Sequence, residues 1–182
     1  MGKKLSSLIL ISTTLLFWSC TINYNDQDSN ITKSEAIPDS AMINFKLIKI
    51  KNNTPNTEVF SSSAEVFNSQ NKTVLKNVVF TEYDTVSKEI NTQGKADTVE
   101  YFNDTEEAKL NGNLNFVSKK DEIEMTGEYL HWQKKDRRIL SSPETFIEVV
   151  KEDGSSIKGF GFSANLRDST FKFQKNITGQ TK

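Results

Sequence analysis

The sequence predicts an all-β, antiparallel domain behind an N-terminal signal helix and a flexible linker. Three observations carry this. From Met42 onward, apolar and polar residues alternate through most of the chain. Polar turn-forming clusters ("NSQNK", "NDTEE", "SKKD", "KKD", "EDGSS", "LRDS") separate the alternating runs. Past the N-terminal segment, helical spacing is not sustained, so nothing supplies the crossover helices that parallel strands need. Twelve Phe, together with Val, Ile and Thr, add a preference for strands.

The N-terminus reads as an export signal. "MGKK" is a short positive region, and Leu5 to Trp18 is a mostly apolar run, short for a permanent membrane span and of the right length for an export signal. It ends in "FWSC", whose Cys20 is the only cysteine of the chain. A small residue before a lone cysteine at that point looks like the lipobox of bacterial lipoproteins, in which the cysteine carries lipid. Phe17 stands where Leu is usual and Trp18 where a small residue is usual. The plainer alternative is an ordinary signal peptide with an incidental cysteine. The division expected is a signal peptide over 1–19, lipidated Cys20 with a flexible tether over 20–41, and a β domain over 42–180. The tether is polar, lacks apolar periodicity and contains Pro38. With Cys20 used as an anchor, no disulfide can hold the domain together.

The strands follow in order. Ile43, Phe45 and Leu47 alternate. Val59 to Val66 is a weaker strand through a serine run, and Val74 to Tyr83 a stronger one. Val99 and Tyr101 share a face. Leu110, Gly112, Leu114 and Phe116 share another, with asparagines opposite. "TEEAKL" is the one short helical candidate and runs straight into that strand. Ile123 pairs with Met125 and Ile147 with Val149. "GFGFSANL" places Phe160, Phe162, Ala164 and Leu166 on one face, and "FKFQKNI" does the same for Phe171, Phe173 and Ile177. "YLHWQ", "KKDRR" and "ILSSPETFIEV" read as strand, solvated turn and return strand, with Pro143 at an irregular or edge position. A loose repeat starts at Ala64, Ala96 and Gly127, with spacings of 32 and 31, which suggests stacked hairpins.

Composition excludes several chemistries. A net charge of -1 gives no long-range pull toward nucleic acid. His131 is the only histidine, so a zinc site lacks its ligands, and the one candidate imidazole for a nucleophile reads as a strand-face residue opposite Leu130 and Trp132 in the alternation of "YLHWQ". Asp and Glu alternate with apolar residues, as on a solvated strand face, and no pair stands out. "KGFGF" lacks the third glycine and the following helix of a phosphate cradle. The chain is expected not to be an enzyme and to need no cofactor.

The order of features resembles the periplasmic C-subunit family of lipopolysaccharide export, LptC, related to the bridging A subunit and to OstA-like domains. The residues that carry this are "LNGNLNF" (110–116), "MTGEYLHWQKKDRRILSSPETFIEV" (125–149) and "DGSSIKGFGFSANL" (153–166), over roughly Phe45 to Gly179. The resemblance implies an open, V-shaped β-jellyroll with acyl chains lying between two facing antiparallel sheets. It implies lipopolysaccharide, or a similar glycolipid, as cargo. The cargo would come from inner-membrane ABC transporter permeases and pass to a bridging periplasmic jellyroll by edge-strand pairing. It implies residence in the cell envelope, with ATP hydrolysed by the transporter. Family members often carry a transmembrane helix where this chain looks lipid-anchored, and Thr21 does not settle which membrane holds it. On this reading the slot lining is Leu114, Phe116, Ile123, Met125, Trp132, Ile147, Phe160, Phe162 and Phe173. The alternative is a structural or adhesive surface lipoprotein with a filled β-sandwich core.

Overall fold

The computed structural model of the protein describes residues 37–168 and 170–181. The expectations for Cys20, the signal peptide and most of the tether lie outside the described residues. Six long strands run back and forth as hairpins: Ser40–Lys51 (β1), Thr54–Phe67 (β2), Lys72–Tyr83 (β3), Ile90–Phe102 (β4), Glu107–Ser118 (β5) and Ile123–Gln133 (β6). Shorter strands follow: Arg138–Leu140 (β7), Phe146–Lys151 (β8), Ser156–Phe160 (β9), Ser163–Asn165 (β10), Thr170–Lys172 (β11) and Lys175–Gln180 (β12). All pairings are antiparallel and form one hydrogen-bonded network.

Turn chemistry explains the hairpins. Asn52 and Asn53 have φ of 51° and 60°, the left-handed pair that a two-residue hairpin loop needs. Three four-residue loops end on one left-handed residue each: Glu106, Glu122 and Arg137. The helical candidate "TEEAKL" is one of these: Thr105 and Glu106 turn, and β5 begins at Glu107. Two apolar residues in six are too few to outweigh the pairing that β4 offers.

The network is folded along a transverse crease. Five of the six long strands cross this line with two consecutive residues facing outward, so their alternation changes phase there; β5 instead crosses it with three residues, Asn111 to Asn113, between inward Leu110 and Leu114, and keeps its phase. In β3 the buried Leu75 and Val78 are three residues apart, with Asn77 between them at φ 51°. In β4 the same break separates Ala96 from Val99, and in β2 it separates Ser61 from Ala64. Such irregularities bend a strand and let it serve two sheets. We call the two sides half I, which holds the β2–β3 and β4–β5 turns, and half II, which holds the β1–β2 and β3–β4 turns.

Beyond β6 the two halves separate completely. The first part of β6 pairs with β8, as in Met125 opposite Val149, while its last residues pair with β7, as in Trp132 opposite Ile139. Strands β7, β10 and β11 continue half I, and β8, β9 and β12 continue half II. The chain crosses the crease at 141–145, 161–162 and 173–174, held by Ser141 N–H to the Phe162 carbonyl (2.8 Å) and Phe162 N–H to Ser141 Oγ (2.7 Å). The expected return strand through Pro143 is therefore two strands, one in each half.

One face of the network is buried. Ala64 and Ile147 are 0% exposed, and Leu114 and Leu130 2%. Among the described residues, only the network itself is available to cover that face, so the halves cover each other. Leu75, Val99 and Leu130 of half I join Val78, Ala96, Leu114 and Ile147 of half II in one apolar cluster. The fold is an all-β open antiparallel jellyroll in which one sheet, folded on itself, supplies both facing layers.

Candidate functional site

The candidate site is the slot between the halves, and it is graded from floor to rim. Next to the crease the inward side chains are packed by protein alone. One row further out, Val59, Phe80, Tyr101, Phe116 and Trp132 are only half-buried. At the strand ends of half II the inward positions turn polar: Thr57, Glu82, Thr92 and Ser118, flanked by exposed Lys49 and Lys151. Inward apolar residues also reach both outermost strands. Leu47 on β1 is 51% exposed and Phe171 on β11 45%, so the apolar surface runs out at either end.

Glycines shape the half II wall. At Gly94 an added Cβ would lie 2.1 Å from a Phe80 ring carbon and 2.6 Å from one of Phe116. The two rings close over the bare backbone with centroids 5.5 Å apart, which keeps both aromatics on the inner surface. Toward the other end, Phe162, Phe171 and Phe173 form a three-ring cluster with centroid separations of 5.3 to 6.1 Å. Such contacts add about 0.5–1.5 kcal/mol each beyond area burial.

Inside the half II rim, where Glu82, Lys49 and Lys151 lie, the inner face is apolar, and the paired charges sit outside. The ion pairs Lys46–Glu58 (3.3 Å), Lys76–Glu65 (3.3 Å) and Lys72–Glu100 (3.8 Å) join neighbouring strands on the outside. Each such exposed pair contributes about 0–1 kcal/mol. His131 is also outside, with Nε2 3.0 Å from Glu107 Oε2. Burial, then the nearby Glu100 carboxylate, raises the Tyr129 hydroxyl pKa. At the β3–β4 turn, the N–H groups of Ser87 and Val86 donate to Asp84 and hold its carboxyl below the ordinary range. Among the described residues, no Asp, Glu or His cluster is suited to a metal ion. A groove of about 390 Å³ opens at the β5 irregularity, lined by groups that include Lys95, Asn115, Glu128 and Phe146; Lys95 and Asn115 face outward.

The family model "Lipopolysaccharide-assembly, LptC-related" matches residues 7–182. The chain belongs to that family. This LptC-related chain is also similar in structure to the solved LptH, the LptA homologous periplasmic component of the conserved lipopolysaccharide transport device from Pseudomonas aeruginosa. The TM-score is 0.53 at 15% identity, covering 69% of this chain and 94% of that one. That likeness supports the jellyroll assignment. No curated protein sequence matches the chain.

Within this LptC-related fold the nine expected lining residues fall into three groups. Leu114, Met125, Ile147, Phe162 and Phe173 face inward but are buried, at 0–8% exposure; they form the floor. Phe116, Ile123 and Trp132 face inward and stay partly exposed. Phe160 corrects the expectation. It pairs with Phe146, their rings 5.4 Å apart, while the adjacent Gly159 pairs with buried Ile147. Phe160 therefore lies on the outer face. The alternation through "GFGFSANL" breaks because the chain crosses the crease at Gly161, φ 67°. Leu166 leaves that face too, in the turn after β10. Sequence reasoning missed Phe80, whose partner over Gly94 was named. The signal was the glycine, small enough to seat two rings.

Proposed function

We propose that this LptC-related chain is a membrane-anchored, non-catalytic lipid carrier of the periplasm. It accepts lipopolysaccharide, or a similar glycolipid, from inner-membrane ABC transporter permeases. It passes the cargo to a bridging jellyroll by edge-strand pairing. Lipid on Cys20 holds it at the membrane, residues 21–41 serve as tether, and ATP is hydrolysed by the transporter.

The observation that carries this reading is the graded slot: half-buried Phe80, Phe116, Tyr101 and Trp132 above a packed floor, continued to both outer strands. A monomer gains nothing from a row of large, partly wet apolar side chains facing each other. An acyl chain laid over them gains about 0.8 kcal/mol per methylene covered. These contacts are non-directional, as a carrier that must release its cargo requires. A filled sandwich accounts for the floor but not for the exposed row above it.

Native mass spectrometry of the full chain, purified from the envelope of a lipopolysaccharide-producing bacterium, tests the proposal. The expected result is a stoichiometric glycolipid adduct. A chain that is consistently free of lipid overturns the proposal and favours the filled sandwich.

A further inference from the structure

The crease is built from an ordered row of polar residues. Asn44, Asn77 and Asn113 on β1, β3 and β5 have φ of 55°, 51° and 47°, a backbone state that asparagine adopts far more readily than most side chains. Flanking pairs such as Ile43–Ser63 and Phe45–Ser61 set Asn44 opposite Ser62, and the same registers set Ser62 opposite Asn77 and Asn77 opposite Asp97. Side chains then link the strands on the outside of the fold. Asn77 Nδ2 donates to Ser62 Oγ at 2.9 Å. Asn113 Nδ2 donates to Asp97 Oδ2 at 2.7 Å, and its backbone N–H to Glu128 Oε2 at 3.3 Å. Gly112 makes room for this clasp: a Cβ there would sit 2.5 Å from Asp97 Oδ2.

A sheet folds along a straight line only if every strand bends at the same row. A strand that bends one residue away sends its inner side chains to the wrong face. The clasps join β2 to β3, β4 to β5 and β5 to β6 along the line and do not bridge the halves, so they fix where those strands bend and leave the angle free. We propose that this row is the hinge pin of the slot. The left-handed asparagines are the pivots, the strand registers and the clasps together keep them collinear, and half I turns against half II as one body. The gape is then set collectively, which makes Asn77, Asp97 and Asn113 positioning residues for the cargo. The proposal rests on the carrier reading for the purpose of the hinge, not for its existence.

Double electron–electron resonance on the lipid-free full chain carrying Cys20→Ser tests it. Spin labels at Ser69→Cys and Val86→Cys mark the two ends of β3, in half I and half II. Labels at Val86→Cys and Lys120→Cys mark two turns within half II. All three sites are exposed. Asn77→Gly with Asn113→Gly keeps the left-handed backbone and the backbone N–H to Glu128 but removes both side-chain clasps. Asp97→Ala removes a clasp without touching a pivot. Either variant is expected to widen the Ser69–Val86 distance distribution at least twofold and leave the Val86–Lys120 distribution unchanged. An unchanged Ser69–Val86 width, or equal broadening of both pairs, overturns the hinge pin. No lipid is involved, so a failed carrier reading does not alter this result.

Discussion

Gly127 shows how closely the slot floor is fitted at the level of single residues. A Cβ added there would meet Ile147 Cδ1 at 2.2 Å and the Phe146 carbonyl oxygen at 3.2 Å. Ile147 is 0% exposed and has nowhere to move. Gly127→Ala is therefore expected to destabilise the domain by about 1–3 kcal/mol through overpacking. Ile147→Val removes the clashing carbon and alone costs about 0.5–1.5 kcal/mol. Combined, the two are expected to cost clearly less than their sum, read from denaturant unfolding midpoints. Additive losses would show that the contact does not limit the floor. Gly127 was also legible in the sequence as one start of the loose repeat. With Ala64 and Ala96 it marks where β2, β4 and β6 pass the crease, so the spacings of 32 and 31 measure two strand passes. Phe160 was not legible. Its face depends on a left-handed glycine one residue later, and alternation assumes an unbroken pleat.

Strands were legible as elements wherever local pattern and pairing agreed. "YLHWQ" is strand, "KKDRR" turns and enters β7, and His131 faces outward between inward Leu130 and Trp132. The crease was not legible, because it is a property of register between strands and asparagine is common throughout this chain. The edges differ in a way that bears on assembly. Strand β1 is twelve residues long and paired on one side only. It exposes Ile43 (82%), Leu47 (51%), Ile48 (43%) and Ile50 (65%). The opposite edge is split into three-residue β11 and six-residue β12, with an irregularity at Lys175–Thr178. Long apolar edges invite strand addition, and short, irregular or charged ones discourage it. Ile43→Lys with Ile50→Lys is expected to leave stability within about 0.5 kcal/mol per exposed site. Capture of a neighbouring jellyroll by site-specific crosslinking along β1 should fall at least tenfold. Undiminished capture would place the pairing on the other edge.

At the scale of the molecule, the same folding of one sheet produces both the stability and the opening. Near the crease the halves approach closely enough to bury Ala64, Leu114, Leu130 and Ile147 completely or nearly so. Away from it they diverge, and equally large side chains stay partly exposed. A closed sandwich would need caps over Leu47 and Phe171, yet both lie bare at the ends of the slot. In a row of jellyrolls joined edge to edge, those ends would meet the slots of the neighbours, and the apolar surface would continue from one protein to the next. Photo-crosslinking in cells that make lipopolysaccharide, with benzoylphenylalanine at inner positions Phe116 and Trp132 and at outer positions Phe60 and Val79, tests this most directly. All four are exposed enough to react. The carrier account predicts glycolipid crosslinks from Phe116 and Trp132 alone. Crosslinks from Phe60 and Val79 at equal yield, or none from the inner pair, would contradict it.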